Sequence, residues 1–306
     1  GVEIWLKRDD LTGLGLSGNK VRKLDFLLAD AQQQQATAII TCGGIQSNHC
    51  RATAVACRQL GLRPVLVLRG TPPSGQHLDG NLLLNAMLGA EVRWITPDDY
   101  RHRRAAIMEE LAAELRSRGE RPYIVPEGGS NAVGAMGFVR AGQELSTQLT
   151  GLGLDVDAVI CATGSGGTLA GLAMSGLRAE VVGVAVCDDR AYFRKIVEDI
   201  AAIAEERFNL SLPDTGWDVL EGYQGRGYGL SRPEELRDQA TMAEQEGIFL
   251  DPVYTGKAWH AISEMVRQDR RALGERVVLW HTGGLFGAFG RGADYHAALA
   301  VPFVEE

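Results

Sequence analysis

The sequence is short of the features that mark a chain for the cell exterior, a membrane or nucleic acid. Its five cysteines (Cys42, Cys50, Cys57, Cys161 and Cys187) are odd in number, contain no CxxC pair and lie in or beside apolar segments. That usage predicts reduced, buried thiols in a cytoplasmic protein and not a disulfide framework. No apolar run approaches the roughly 20 residues of a membrane span, and Lys7, Arg8, Asp9 and Asp10 interrupt the first segment, so no signal peptide is expected. The chain opens at Gly1, without Met and already strand-like, so further residues are expected before it in the natural protein. None of the six histidines pairs at ligand spacing, which excludes a zinc or iron site on this reading. A net charge of -8 argues against a nucleic-acid surface. The one basic run, Arg101-His102-Arg103-Arg104, precedes an acid-containing helical stretch and reads as a solvated helix face. There is no internal repeat, and Gln32 to Gln35 read as a polar helix end.

What is present is alternation. Strand-like runs occur at Ile4 to Arg8, Ala38 to Cys42, Val65 to Leu68, Val92 to Ile95, Tyr123 to Val125, Asp157 to Ala162, Val181 to Val186 and Val277 to His281. Helical patterns lie between them: Val21, Leu24, Leu27, Leu28 and Ala31 share one face, and another helix follows Ser47 and ends at Gly61. Strands apolar on both faces and separated by helices predict an α/β protein with two open parallel sheets, each covered on both sides. The expected domains are a smaller α/β unit over 37–131 and a larger one formed by 1–36 with 132–306. Gly128-Gly129-Ser130-Asn131 is the expected crossing between them.

Three strand-to-helix junctions carry reactive groups, and open parallel sheets bind ligands at such junctions. Gly164-Ser165-Gly166-Gly167-Thr168 can turn backbone N–H groups and two hydroxyls onto one anion at a helix start. It lacks the lysine of a Walker A loop. It also has Leu169 where a dinucleotide fingerprint needs its third glycine, so one phosphate monoester suits it better. Ser17-Gly18-Asn19-Lys20 places a lysine at a helix start, where a desolvated amine could attack a carbonyl to form an imine. Taken alone Lys20 reads as a solvated charge, as does Lys23 one turn on. Gly44-Ile45-Gln46-Ser47-Asn48-His49 suits a carboxylate, although Ser47 could equally be a helix cap and His49 a structural histidine. An imine-forming lysine, a phosphate cup and a carboxylate cup together are what a pyridoxal-phosphate enzyme acting on an amino acid requires.

The same residues resemble a family. Lys7-Arg8-Asp9-Asp10-Leu11-Thr12-Gly13 followed by Ser17 to Leu24 resembles the start of fold-type II pyridoxal-phosphate enzymes, whose fold is of the tryptophan-synthase-β kind. The branch it looks most like is that of D-cysteine desulfhydrase and 1-aminocyclopropane-1-carboxylate (ACC) deaminase. The likeness continues, in order, through Gly44 to His49, Gly164 to Thr168, Gly227-Tyr228-Gly229, Asp251-Pro252-Val253-Tyr254-Thr255-Gly256-Lys257 and His281-Thr282-Gly283-Gly284.

This resemblance implies pyridoxal 5'-phosphate carried on Lys20, with Asn19 beside it and Gly164 to Thr168 around the phosphate. It implies Ser47, Tyr228 and Tyr254 as catalytic groups, and Gln46 to His49 as the substrate-carboxylate loop, with Asn48 touching cofactor or substrate. Thr255 and Thr282 would meet the cofactor where ACC deaminases carry Glu and Leu, and His49 stands where they usually carry Gln. These departures lean towards D-cysteine desulfhydrase, that is, β-elimination of D-cysteine to pyruvate, ammonia and sulfide. The alternatives are ACC deamination, cysteate sulfo-lyase or D-serine-type elimination, and racemisation. From other classes, a nicotinamide-dependent oxidoreductase and an idle ligand-binding relative fit the motifs less well. A small amino acid is the expected partner, and a homodimer the expected assembly because dimers are commonest.

Overall fold

The computed structural model describes residues 1–73, 78–268 and 272–299. Among the described residues nine strands form two parallel sheets. The first contains β1 (Glu3–Arg8), β6 (Ala158–Thr163), β7 (Glu180–Ala185), β8 (Trp217–Leu220) and β9 (Arg276–His281), in the order β1-β9-β6-β7-β8. The second contains β2 (Ala38–Gly44), β3 (Arg63–Arg69), β4 (Glu91–Ile95) and β5 (Pro122–Ile124), in the order β4-β3-β2-β5.

Helices α1 (Lys20–Gln33), α2 (Asn48–Gln59) and α3 (Gly80–Met87) lie along the first part of the chain, and α4 (Pro97–His102) and α5 (Arg104–Ser117) follow β4. The long α6 (Ala132–Leu152) leads from the second sheet back to the first. Beyond it come α7 (Gly167–Ala173), α8 (Arg190–Phe208), α9 (Pro233–Glu246) and α10 (Thr255–Gln268). The short α11 (Leu285–Phe289) and α12 (Gly292–Leu299) end the described chain.

Burial explains the layers. Every residue of β6 is buried, because helices cover both of its faces. On one side Val159 and Cys161 pack with Phe138, Leu145, Leu169, Leu172, Phe193 and Val197 from α6, α7 and α8. On the other side Ile160 and Ala162 meet Ala258, Ala261 and Ile262 of α10. The second sheet is built alike, with Met108, Leu111 and Leu115 of α5 on one face. Its other face takes Leu24, Leu27, Leu28 and Ala31 of α1 together with Ala52, Ala56 and Cys57 of α2. The apolar stripe of α1 thus packs against the smaller sheet, and α1 also lies close along α6. That approach needs Gly137, where an added Cβ would lie 2.0 Å from the Arg22 carbonyl oxygen.

The eight expected strands are all present, within two residues at most of their ends. The ninth, β8, is a four-residue edge strand containing Asp218, too short and too polar for a periodic signal. All five cysteines are free, four of them buried and Cys187 half-buried. Arg101, His102 and Arg103 are exposed as a solvated face requires, but Arg104 is not. Its guanidinium lies 5.5 Å from the Tyr100 ring centroid and 3.6 Å from Glu127. Among the described residues no helix is long and apolar enough to cross a membrane.

Candidate active site

The carboxyl ends of the two sheets face one cavity. It brings together all three sequence-predicted junctions: Asn19 and Lys20, then Ser47 to His49, then Gly164, Ser165, Gly166 and Thr168. Tyr228, Tyr254 and Thr282 join them.

Lys20 opens α1, and its position depends on the residue two before it. Gly18 has φ +107°, and a Cβ there would lie 2.6 Å from the Thr282 carbonyl oxygen, which instead accepts the N–H of Asn19 at 3.1 Å. The lysine is thereby pinned beside the end of β9. Burial lowers its amine to about 8, against the opposing pull of Asp251 and Glu127. A lysine so held has an appreciable free-base fraction near neutrality, as imine chemistry needs.

Around Gly164 to Thr168 the first turn of α7 leaves N–H groups without helical carbonyls. A Cβ on Gly164 would lie 3.0 Å from the Tyr254 ring, so only glycine leaves this wall open. Asn19 Nδ2 donates to Thr168 Oγ1 at 3.2 Å, tying the lysine segment to the cup. Gly167 does not line the cavity; its N–H donates to Ser130 Oγ at 3.2 Å.

Lys23 departs from expectation. It is fully buried, with Nζ donating to Gly128 O and to Ser130 Oγ, both at 3.1 Å. Burial beside Lys20 drives its pKa well below the usual lysine value. Because Ser130 Oγ accepts from both Lys23 and Gly167, its own proton goes to Ser165 Oγ at 2.9 Å. Ser165 is then left with its proton free for the cavity.

The second cup is set by a chain of side chains. Ser47 caps α2 by accepting the Cys50 N–H at 3.1 Å, so the bland and the functional readings of Ser47 coexist. Arg51 Nε, which can only donate, fixes Asn81 Oδ1 as acceptor at 3.2 Å. Asn81 Nδ2 therefore donates to Asn48 Oδ1 at 2.8 Å, and the Nδ2 donors of Asn48 stay uncommitted. His49 is fixed in the same way. Thr41 gives its proton to Val125 O at 2.9 Å, so it accepts from His49 Nε2 at 2.7 Å. Burial, with Lys20 and Lys23 nearby, keeps His49 neutral, and its bare Nδ1 has no partner among the described residues.

Tyr228 and Tyr254 share a hydrogen bond of 2.5 Å. Burial pushes Tyr228 up to about 12, although the bond to Tyr254 lowers it, whereas Tyr254 is held further above its ordinary value. Both hydroxyls are therefore neutral, and either can be the donor of the bond.

Two further expected residues stand outside the cavity. Gln46 spends its amide on Asp79 Oδ1 at 2.7 Å and on the N–H of Asn81 at 2.8 Å. Thr255 is fully buried, with its hydroxyl on Asp251 at 2.5 Å and near Gly283 O at 3.3 Å. Glu127, which the sequence did not single out, does line the cavity; Tyr100 donates to it at 2.6 Å. Its signal was its place just before the glycine-rich crossing at Gly128.

These residues fit pyridoxal phosphate: an amine near neutrality, a glycine-walled cup with spare hydroxyl and N–H donors, and a hydroxyl floor at Thr282. The comparisons with known proteins agree. The family model for "Pyridoxal-phosphate dependent enzyme" matches residues 1–283. A Thermotoga maritima protein provisionally named ACC deaminase is 43% identical, with 94% of this chain and 91% of that protein covered. The Arabidopsis thaliana protein named bifunctional D-cysteine desulfhydrase/ACC deaminase, mitochondrial, is 38% identical, with 98% of this chain and 76% of that protein covered. The crystal structure of an ACC deaminase homologue is 36% identical with a TM-score of 0.87, covering 96% of this chain and 88% of that one. A nicotinamide-dependent reading of Gly164 to Gly167 falls away. The chain belongs to the pyridoxal-phosphate-dependent enzymes of fold type II, in the family of ACC deaminase and D-cysteine desulfhydrase.

Proposed function

We propose that this enzyme eliminates the β-substituent of a small amino acid, D-cysteine foremost, giving pyruvate, ammonia and sulfide. The observation that carries the choice is the hydroxyl of Thr282. It lines the cavity and has no hydrogen-bond partner among the described residues. The nearest buried carboxylate on that side, Asp251, is spent on Thr255 and on three backbone N–H groups. A hydroxyl does not hold a proton on the cofactor's ring nitrogen as a carboxylate would. The weaker electron sink suits expulsion of a good leaving group more than opening a ring whose α-carbon bears no hydrogen.

Bound at Lys20, pyridoxal phosphate supplies the electron sink that stabilises negative charge at the α-carbon. The protein supplies the rest. Ser165, Thr168 and the first turn of α7 anchor the phosphate, and Asn19 supports Thr168. Ser47, the Nδ2 donors of Asn48 and the start of α2 bind the substrate carboxylate. Lys20 Nζ would hold the cofactor and, as a free amine, would be the base for the α-proton. Tyr254 and Tyr228 hold a proton in the path of the departing group, and Ser47 Oγ offers a further relay. His49 presents an acceptor, Nδ1, to a donor on substrate or cofactor.

ACC deamination is the second reading, favoured by the names of the relatives. The two are separated by assaying the purified holoenzyme on D-cysteine, L-cysteine, D-serine, cysteate and ACC in parallel. Pyruvate and sulfide from D-cysteine are expected. Faster release of the four-carbon 2-oxo acid from ACC overturns the choice.

A further inference from the structure

Lys257 belongs to the same motif as Tyr254, yet the chemistry of the cavity leaves it without a task. It is fully buried in the first turn of α10, where its N–H donates to the Tyr254 carbonyl at 3.1 Å. Its Nζ donates to three backbone carbonyls: Gln224 O at 2.6 Å, Gly227 O at 2.8 Å and Val186 O at 3.4 Å. Three acceptors use three protons, so the group is an ammonium. No carboxylate pairs with it among the described residues. The buried carboxylate of Glu235 is held instead by Arg232, at 3.0 Å. A buried charge without a counter-ion is tolerated only where dipoles replace its water. Backbone carbonyls do that here, as they do for a bare potassium ion.

The three carbonyls surround the tyrosine pair. Gly227 directly precedes Tyr228, and Gln224 lies in the same connection between β8 and α9, which is neither helix nor strand over 221–232. Gly222, Gly225, Gly227 and Gly229 all have positive φ there, so this backbone has unusual freedom and needs an outside tie. Val186 follows β7, and its Cγ2 would lie 3.2 Å from a Cβ on Gly164, so it backs the phosphate cup. The ring of Tyr228 stacks on the Arg69 guanidinium, 4.9 Å from its centroid, and Arg69 in turn lies 5.1 Å from the Tyr100 ring centroid. That stack orients the ring, but the backbone before it sets its depth. Lys257 therefore ties the backbone of one tyrosine to the helix that starts beside the other. The 2.5 Å separation of the two hydroxyls depends on that tie.

We propose that Lys257 is a positioning residue whose ammonium acts as a resident monovalent cation, holding Tyr228 on Tyr254 and making an added potassium ion unnecessary. The proposal rests on the reading of that pair as a proton relay. Cutting the side chain back in Lys257→Ala leaves three carbonyl oxygens around one vacated place, which a potassium ion can fill. In Lys257→Met an uncharged chain of similar length fills the same place and excludes the ion.

The test follows the holoenzymes of wild type, Lys257→Ala and Lys257→Met on the amino acid that the wild type uses best. Each is assayed in potassium chloride and in tetramethylammonium chloride at equal ionic strength, with kcat counted per bound cofactor. The wild type is expected to show the same kcat in both salts. In tetramethylammonium chloride the kcat of Lys257→Ala falls roughly tenfold or more with KM nearly unchanged, and potassium restores most of it along a saturating curve. Lys257→Met loses as much, and potassium restores none of it. A Lys257→Met enzyme with wild-type kcat overturns the proposal, as does a loss in Lys257→Ala that potassium leaves in place, or a wild type that itself depends on potassium. If Lys257→Ala does not fold, Lys257→Met decides alone, by whether kcat falls while KM holds. If Tyr228→Phe keeps full kcat, the relay reading fails by itself. A rise in Tm of Lys257→Ala with potassium, absent from wild type and Lys257→Met, still decides whether the ammonium stands where a cation would.

Discussion

Thr255 gives its hydroxyl proton to Asp251 across 2.5 Å, and the same carboxylate collects the N–H groups of Val253, Tyr254 and Thr255. The carboxylate is therefore both the cap of α10 and the clamp on the segment that carries Tyr254. In Asp251→Asn one oxygen becomes an NH₂ that faces backbone donors, at a cost of about 1–3 kcal/mol. A urea midpoint indistinguishable from wild type would contradict this account of the cap.

The same substitution reaches Lys20. Asp251 raises the amine's pKa against burial, so in Asp251→Asn the free Lys20 amine titrates below its wild-type value of about 8. In the cofactor-free protein the rate of reconstitution should climb with pH through about 8 and level off above it, because only the free base reacts. A midpoint near the ordinary lysine value would show that the site does not desolvate the amine. Lys20→Ala should abolish turnover and escape cofactor fixation by borohydride; appreciable pyruvate release from that variant sinks the role given to Lys20.

The hydroxyls of Tyr228 and Tyr254 are 2.5 Å apart, and either can give its proton to the other. Tyr254→Phe deprives Tyr228 of the hydrogen-bond partner that offsets part of the rise caused by burial. Either Tyr→Phe change should cut kcat by about 10²–10⁴-fold if the pair moves a proton. The two losses should not multiply in the double variant. Independent, additive effects in steady-state kinetics would mean the two rings act separately.

Two residues beyond Lys20, Arg22 bridges the buried Asp9 and the more exposed Glu144. Trp280 Nε1 adds a bond of 2.8 Å to Asp9. Removing the cation in Arg22→Met strands the Asp9 charge, which typically costs about 3–5 kcal/mol. The bonds from Arg22, opposed by some desolvation, hold Glu144 down at about 2. Its folded pKa is depressed, so its contribution is present above the unfolded value and fades as pH falls towards 2. The stability gap between wild type and Arg22→Met should accordingly be wider at pH 7 than at pH 3 by urea titration.

The parts legible in the sequence were those carried by local pattern. Strands apolar on both faces announced covered parallel sheets, and each glycine-bearing junction sat where a strand met a helix. The parts that were not legible depend on what folds over a residue. Lys23 lies one turn from Lys20 and reads as solvated, but the crossing at Gly128 to Ser130 closes above it. Glu127 carries no motif of its own. Gln46 and Thr255 sit within motifs, yet Asp79, Asn81 and Asp251 claim their polar atoms first. Arg69 ends an ordinary strand, and only the meeting of Tyr100 and Tyr228 around it makes it noticeable.

The strand that leads towards Lys20, β1, pairs with β9 alone among the described residues, in a register that sets Glu3 beside Arg276. During synthesis β1 leaves the ribosome early and must wait for a partner made near the end. At about 5–20 residues per second that wait lasts roughly ten to sixty seconds. The smaller sheet, whose strands all lie between 38 and 124, can close within that interval. The lysine proposed to anchor the cofactor is thus among the first functional residues made and among the last to be seated.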